Sequence, residues 1–137
     1  SDYFAAVRLS RQEARDSAVT LLQEAMSYDN EQNAEKTNAQ LENIVQTALC
    51  EAQIESLVIA KGYTDCVAYI SEDGISVAVA APEAGLAQSD VAVIADIVLS
   101  QTSFKLLSEK TKSHVLFPML SVTVTTLLQR QKHFTAV

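Results

Sequence analysis

The chain has 137 residues, 48% of them hydrophobic and 20% charged, with three Gly, two Pro and two Cys. That length buries one core of ordinary size, and the composition excludes disordered, collagen-like and disulfide-framework classes. Ten Lys and Arg against 17 Asp and Glu leave a net charge of −7, which repels a phosphate backbone unless the basic residues are tightly clustered, so nucleic-acid binding is set aside.

From Phe4 the positions Phe4, Val7, Arg11, Ala14, Ala18, Leu21, Ala25 and Tyr28 follow alternating steps of three and four, the seam of a long helix. Its small seam residues suit either packing on its own domain or a stalk that faces a partner or a membrane. Asp29 to Asn33 is a polar break, and a second helical pattern runs to about Lys61, with Leu41, Ile44, Val45, Ala48, Ala52, Leu57 and Val58 on a broad apolar face. Gly62 then supplies a left-handed cap, with Tyr63 expected to fold back onto the last turn.

Cys66 to Ile70 and Ile75 to Val79 are β-prone runs joined by Ser71-Glu72-Asp73-Gly74, a strong hairpin signal. In the second run Ile75, Val77 and Val79 alternate with Ser76, Ala78 and Ala80, so one face is expected in a core. Ala81-Pro82 ends the strand, and Ser89 is the expected cap of a third helix whose stripe is Val91, Ile94, Ala95, Val98 and Leu99. Leu120 to Thr126, rich in Val and Thr, is the candidate for a further strand.

These elements predict an α+β fold: a long N-terminal helix, then helix, strand, strand, helix and strand, with the helices packed on one face of a small three-stranded sheet. The expected division is a stalk-like helix over 1–30, a folded domain over 31–126 and a basic tail over 127–137. Residues 1–104 carry a balance of −11, and residues 105–137, with five Lys and Arg against Glu109 alone, carry +4. That basic end reads as a solvated extension or as a docking site for an acidic surface.

The constellations that chemistry requires are missing from the sequence. Cys50 and Cys66, 16 positions apart, fit no metal-ligand or redox spacing and read as two buried small hydrophobes rather than a disulfide. His114 and His133 have no Cys or carboxylate at ligand spacing. Glu72-Asp73 lies in the hairpin turn, where Asp is expected for turn chemistry, and no Ser stands in G-x-S-x-G. No catalytic residue, metal or cofactor is expected. The longest charge-free stretch, Val115 to Gln129, contains Pro118 and is too short to span a bilayer; beginning at Ser1 without Met, the chain reads as a soluble piece of something longer.

Phe4 to Arg15, the run Leu57-Val58-Ile59-Ala60-Lys61-Gly62-Tyr63-Thr64-Asp65, the hairpin Val67 to Val79 and Asp96 to Thr102 together resemble the stage III sporulation protein AH family, over about residues 2–104. The most specific element is Ala60-Lys61-Gly62-Tyr63-x-Asp65 followed by strand, turn and strand. The resemblance implies a ring-building motif related to those of type III secretion and flagellar ring proteins. It further implies a bitopic membrane protein, anchored by one N-terminal helix missing here, whose ectodomain lies between mother cell and forespore. That ectodomain would bind the LytM-like ectodomain of SpoIIQ, forming rings of a channel, with no catalytic role.

A head-to-tail ring needs two unlike patches per protomer. The expected partner contacts are the hairpin, at Tyr69, Ile75 and Val77, and the exposed side of the second helix at Glu51 and Glu55. The tail departs from the family pattern: either Leu120 to Thr126 supplies the closing strand after an insertion, or the tail is an unrelated extension. The first is favoured because an uncovered edge beside Val77 and Val79 invites pairing with another chain. The competing reading is a regulatory α+β domain that dimerises around a small molecule, against which the Gly-poor loops speak.

Overall fold

The computed structural model describes residues 2–28, 31–72, 74–110 and 122–127, with side chains described between Tyr3 and Thr102. Six elements follow in order: α1 (Asp2–Tyr28), α2 (Glu31–Ala60), β1 (Cys66–Ser71), β2 (Gly74–Ala80), α3 (Gln88–Lys110) and β3 (Val122–Leu127). The class is α+β, as expected. The chain divides into two compact units, Ser1–Leu49 and a second beginning at Cys50, with the division inside α2.

In the first unit, α1 buries Phe4 and half-buries a row through Arg8, Arg11, Arg15, Leu22 and Met26. The expected seam holds at Phe4, Val7, Arg11 and Ala18 but not beyond, because Leu21 is 66% and Tyr28 is 90% exposed. A helix with 3.6 residues per turn drifts ~20° per heptad against a strict seven-residue repeat, and Arg stems cover apolar surface as readily as Ala does. Val45 on α2 is likewise exposed rather than part of the inward face.

The core of the second unit has contributions from four elements. Cys50, Ile54 and Val58 of α2 meet Cys66 and Ala68 of β1, Ile75, Val77 and Val79 of β2, and Ile94, Ile97 and Val98 of α3. The α2 positions recur at four-residue steps and the strand positions at two-residue steps, so each element offers the core one face. Both cysteines are buried there and form no disulfide.

β1 and β2 pair antiparallel, with Cys66 opposite Val79, Ala68 opposite Val77, Ile70 opposite Ile75 and Ser71 opposite Gly74. Glu72 follows β1 in a turn, where the Asp-Gly signal predicts the hairpin to reverse, and Asp73 lies outside the described residues. β3 lies parallel to β2, Val124 opposite Val77, giving the order β1-β2-β3. It overlaps the run Leu120 to Thr126; Leu120 and Ser121 lie outside the described residues.

The joints between elements are specific. At the end of α2 the Lys61 amide reaches the carbonyls of Leu57 and Val58, and Gly62 adopts φ +106°, the conformation the sequence assigns to a glycine cap. Tyr63 packs against the core, to which Val58 of the last α2 turn belongs, and donates its hydroxyl to Asp90 Oδ1 at 2.6 Å. Ser89 is not the cap of α3, since the helix already includes Gln88; Asp90 takes that role, accepting the Ala87 amide on Oδ2 at 2.8 Å. This is the half of a capping box in which an acidic residue in the first turn reaches back to the residue before the helix.

Candidate partner interface

β1 is an edge strand, and an edge strand directs every second amide away from the sheet. On β1 these are the amides of Cys66, Ala68 and Ile70, and each meets a carboxylate. Cys66 donates to Asp65 Oδ1 at 2.9 Å, Ala68 to Glu55 Oε1 at 2.9 Å and Ile70 to Glu51 Oε1 at 3.0 Å. Glu51 and Glu55 are one helical turn apart on α2, which sets their carboxylates in step with alternate strand residues.

This corrects the expectation that Glu51 and Glu55 lie on the exposed side of the second helix. Glu51 is 1% exposed and Glu55 half-buried, because the strand's outward amides require acceptors and α2 supplies them. Ile75 and Val77, also expected at the interface, are 1% and 0% exposed: they point into the core on the alternating face. Only Tyr69 of the five expected contacts is open, at 51% exposure. By register it lies opposite exposed Ser76, on the face of the sheet away from the core.

On the helical side, Lys61, Val93, Asp96, Ile97, Leu99 and Ser100 line a shallow, open groove of about 620 Å³. Val93 and Leu99 are partly exposed there. The groove is open to solvent and sets one cation and one carboxylate among apolar side chains.

Two groups in this unit have shifted acidities. Burial pushes the Tyr63 hydroxyl up to about 12, helped by its hydrogen bond to Asp90 and that group's charge. The same hydrogen bond, with the Ala87 amide, lowers Asp90 below the ordinary carboxylate value. Both shifts belong to a structural joint between the end of α2 and the start of α3, since Tyr63 and Asp90 satisfy each other. No group of three or more His, Cys, Asp and Glu converges to hold a metal among the described residues. His114, Lys112, Arg130, Lys132 and His133 lie outside the described residues, and nothing in the described part bears on the basic end. No described helix is long and apolar enough to cross a membrane.

The part of the chain after Leu49 is thus an α+β module in which the end of one helix, a hairpin, a second helix and a parallel third strand follow in order. The sequence profile of the SpoIIIAH-like protein family matches residues 1–106, and the chain belongs to that family. In fold it is similar to a chain of the solved SpoIIQ–SpoIIIAH pore-forming complex, at TM-score 0.70 and 19% identity, over 93% of this chain and all of the other. No curated protein matches the sequence.

Sequence reasoning missed Asp65 as a site residue and misread the direction of Glu51. The available signal was the placement of Glu51 between Cys50 and Ile54, directly beside the buried row, ahead of an uncharged strand. A carboxylate beside an apolar row needs buried donors, and the nearest unpaired donors are strand amides.

Proposed function

We propose that this chain is the ectodomain of an assembly protein that binds a SpoIIQ-type, LytM-like partner and builds rings of a channel between mother cell and forespore. The observation that carries this is the fold similarity, over 93% of the chain, to a protein solved as part of the SpoIIQ–SpoIIIAH pore-forming complex, together with family membership. In this reading β3 closes a ring-building motif of helix, strand, strand, helix and strand; residues 31–126 form that motif, residues 1–30 its stalk and residues 127–137 a basic tail. A membrane helix preceding the stalk anchors it to the mother-cell membrane. The role is structural rather than catalytic.

Two unlike surfaces of the second unit support head-to-tail contact between protomers: the sheet face bearing Tyr69, and the groove lined by Val93, Asp96 and Leu99. The tyrosine supplies an amphipathic anchor of the kind that interfaces concentrate. Glu51, Glu55, Ile75 and Val77 act from within, holding the sheet that presents it.

The test is light scattering behind size exclusion on the chain alone and mixed with a SpoIIQ-type ectodomain. The proposal predicts a discrete mixed complex. Two separate peaks at unchanged mass, with both proteins folded, refute it.

A further inference from the structure

The three carboxylates along β1 do more than satisfy amides. β1 reads Cys-Val-Ala-Tyr-Ile-Ser, six residues with no charge and no Pro, rich in β-branched and aromatic side chains. A segment of that kind on a sheet edge pairs readily with a copy of itself. Its side chains carry none of the usual deterrents, which are Lys, Pro or a bulge. What stands in the path of a second strand is the row Asp65, Glu55 and Glu51, occupying the amides of residues 66, 68 and 70.

We propose that this row is an edge guard whose excluded occupant is β1 of a second copy of the chain. An incoming strand offers backbone carbonyl oxygens to the same three amides, so each carboxylate must be displaced for each interstrand hydrogen bond that forms. An ionised carboxylate is the stronger competitor, because it accepts charge-assisted hydrogen bonds and repels the incoming oxygens. A neutral acceptor would satisfy the amides more weakly and deter less.

Two of the three guards come from α2 rather than from the strand. They are carried by a different element from the strand they cover, and Glu51 is buried at 1% exposure.

The consequence is directional. Pairing of β1 with its own copy is antiparallel and two-fold, a self-complementary contact that closes after two chains and permits no further growth. With that edge occupied, the sheet accepts a strand only on the β3 side among the described strands. The guard stands whether or not the channel reading above holds, since it concerns contacts between copies of this chain alone.

The experiment is sedimentation velocity at rising concentration, up to about 0.2 mM, on wild type, Glu51→Ala/Glu55→Ala and Glu51→Gln/Glu55→Gln. The double alanine variant is expected to show concentration-dependent self-association beyond that of wild type, and the double glutamine variant to associate about tenfold more weakly than the alanine one. Adding Ala68→Pro to the alanine pair removes the central outward amide and is expected to return the variant to wild-type behaviour.

A folded double alanine variant that sediments as wild type overturns the proposal, and so does association that survives Ala68→Pro. If the double alanine variant does not unfold cooperatively, Glu55→Ala alone decides, since it leaves the buried Glu51 in place. Weaker self-association by that variant supports the guard, and none overturns it.

Discussion

Replacing Glu51 by alanine tests the hydrogen bond between α2 and β1 most sharply. Glu51 is 1% exposed, and its Oε1 accepts the Ile70 amide at 3.0 Å. Truncation removes a hydrogen bond to a charged acceptor, worth ~1.5–3 kcal/mol when its partner is left unsatisfied. It also removes a buried methylene, worth ~0.8 kcal/mol. The expected loss is therefore about 2–4 kcal/mol. Glutamine keeps both the volume and one oxygen acceptor, so Glu51→Gln is expected to lose only about 1 kcal/mol. Urea unfolding reads the difference: at unchanged m, the alanine variant's midpoint falls by roughly 1–2 M and the glutamine variant's by less than half of that. A loss under about 0.5 kcal/mol for alanine, or equal losses for the two variants, refutes the claim that Glu51 serves the edge amide.

Other outcomes follow from the same structure. Gly62 sits at φ +106°, and a Cβ added there meets nothing within 4 Å, so Gly62→Ala costs only backbone strain, about 1–2 kcal/mol, read as a lowered Tm. Tyr63 ionises near 12 in the folded chain against an ordinary 10.0, so its contribution is fully present below pH 10 and is lost as pH rises toward 12. Absorbance titration should show a late tyrosine step, and Tyr63→Phe should remove it. Asp90 is shifted the other way, so its contribution is present above its ordinary value near 3.8 and is lost as pH falls through the lower folded value. Asp90→Asn should flatten that acid-side loss in unfolding curves taken at successive pH values. Tyr69→Asp, on the open sheet face, should leave Tm within a few degrees and weaken binding to a SpoIIQ-type ectodomain about tenfold or more, as titration calorimetry would show.

Local signals in this sequence made the second unit legible. Asp-Gly between two alternating runs sets the hairpin and its register, and Lys61-Gly62 ends α2 where the glycine is needed. Both follow from backbone rules that act within a few residues. What was not legible depends on tertiary partners. The seam of α1 drifts because Arg15 takes the place that a strict heptad gives to Ala14, and Leu22 the place it gives to Leu21. Glu51 and Glu55 look solvent-facing by residue type, since carboxylates are rarely buried, and only the adjacent strand edge reveals why these two turn inward. Ile75 and Val77 belong to the hairpin, as read, but the same alternation that makes them strand residues removes them from the surface. Ser89 lies inside the first turn because α3 begins one residue earlier, at Gln88, and Asp90 reaches back to the Ala87 amide instead.

Amide hydrogen exchange on the chain, free and saturated with a SpoIIQ-type ectodomain, tests the assembly reading and its geometry together. The account predicts that the amides of Cys66, Ala68 and Ile70 are already slow in the free chain, held by Asp65, Glu55 and Glu51. Adding the ectodomain should leave those three unchanged while slowing exchange elsewhere in the second unit, around the sheet or its groove. Fast exchange of those amides in the free chain that slows on mixing would make β1 the docking edge and contradict the account; no change at any amide would refute partner binding itself.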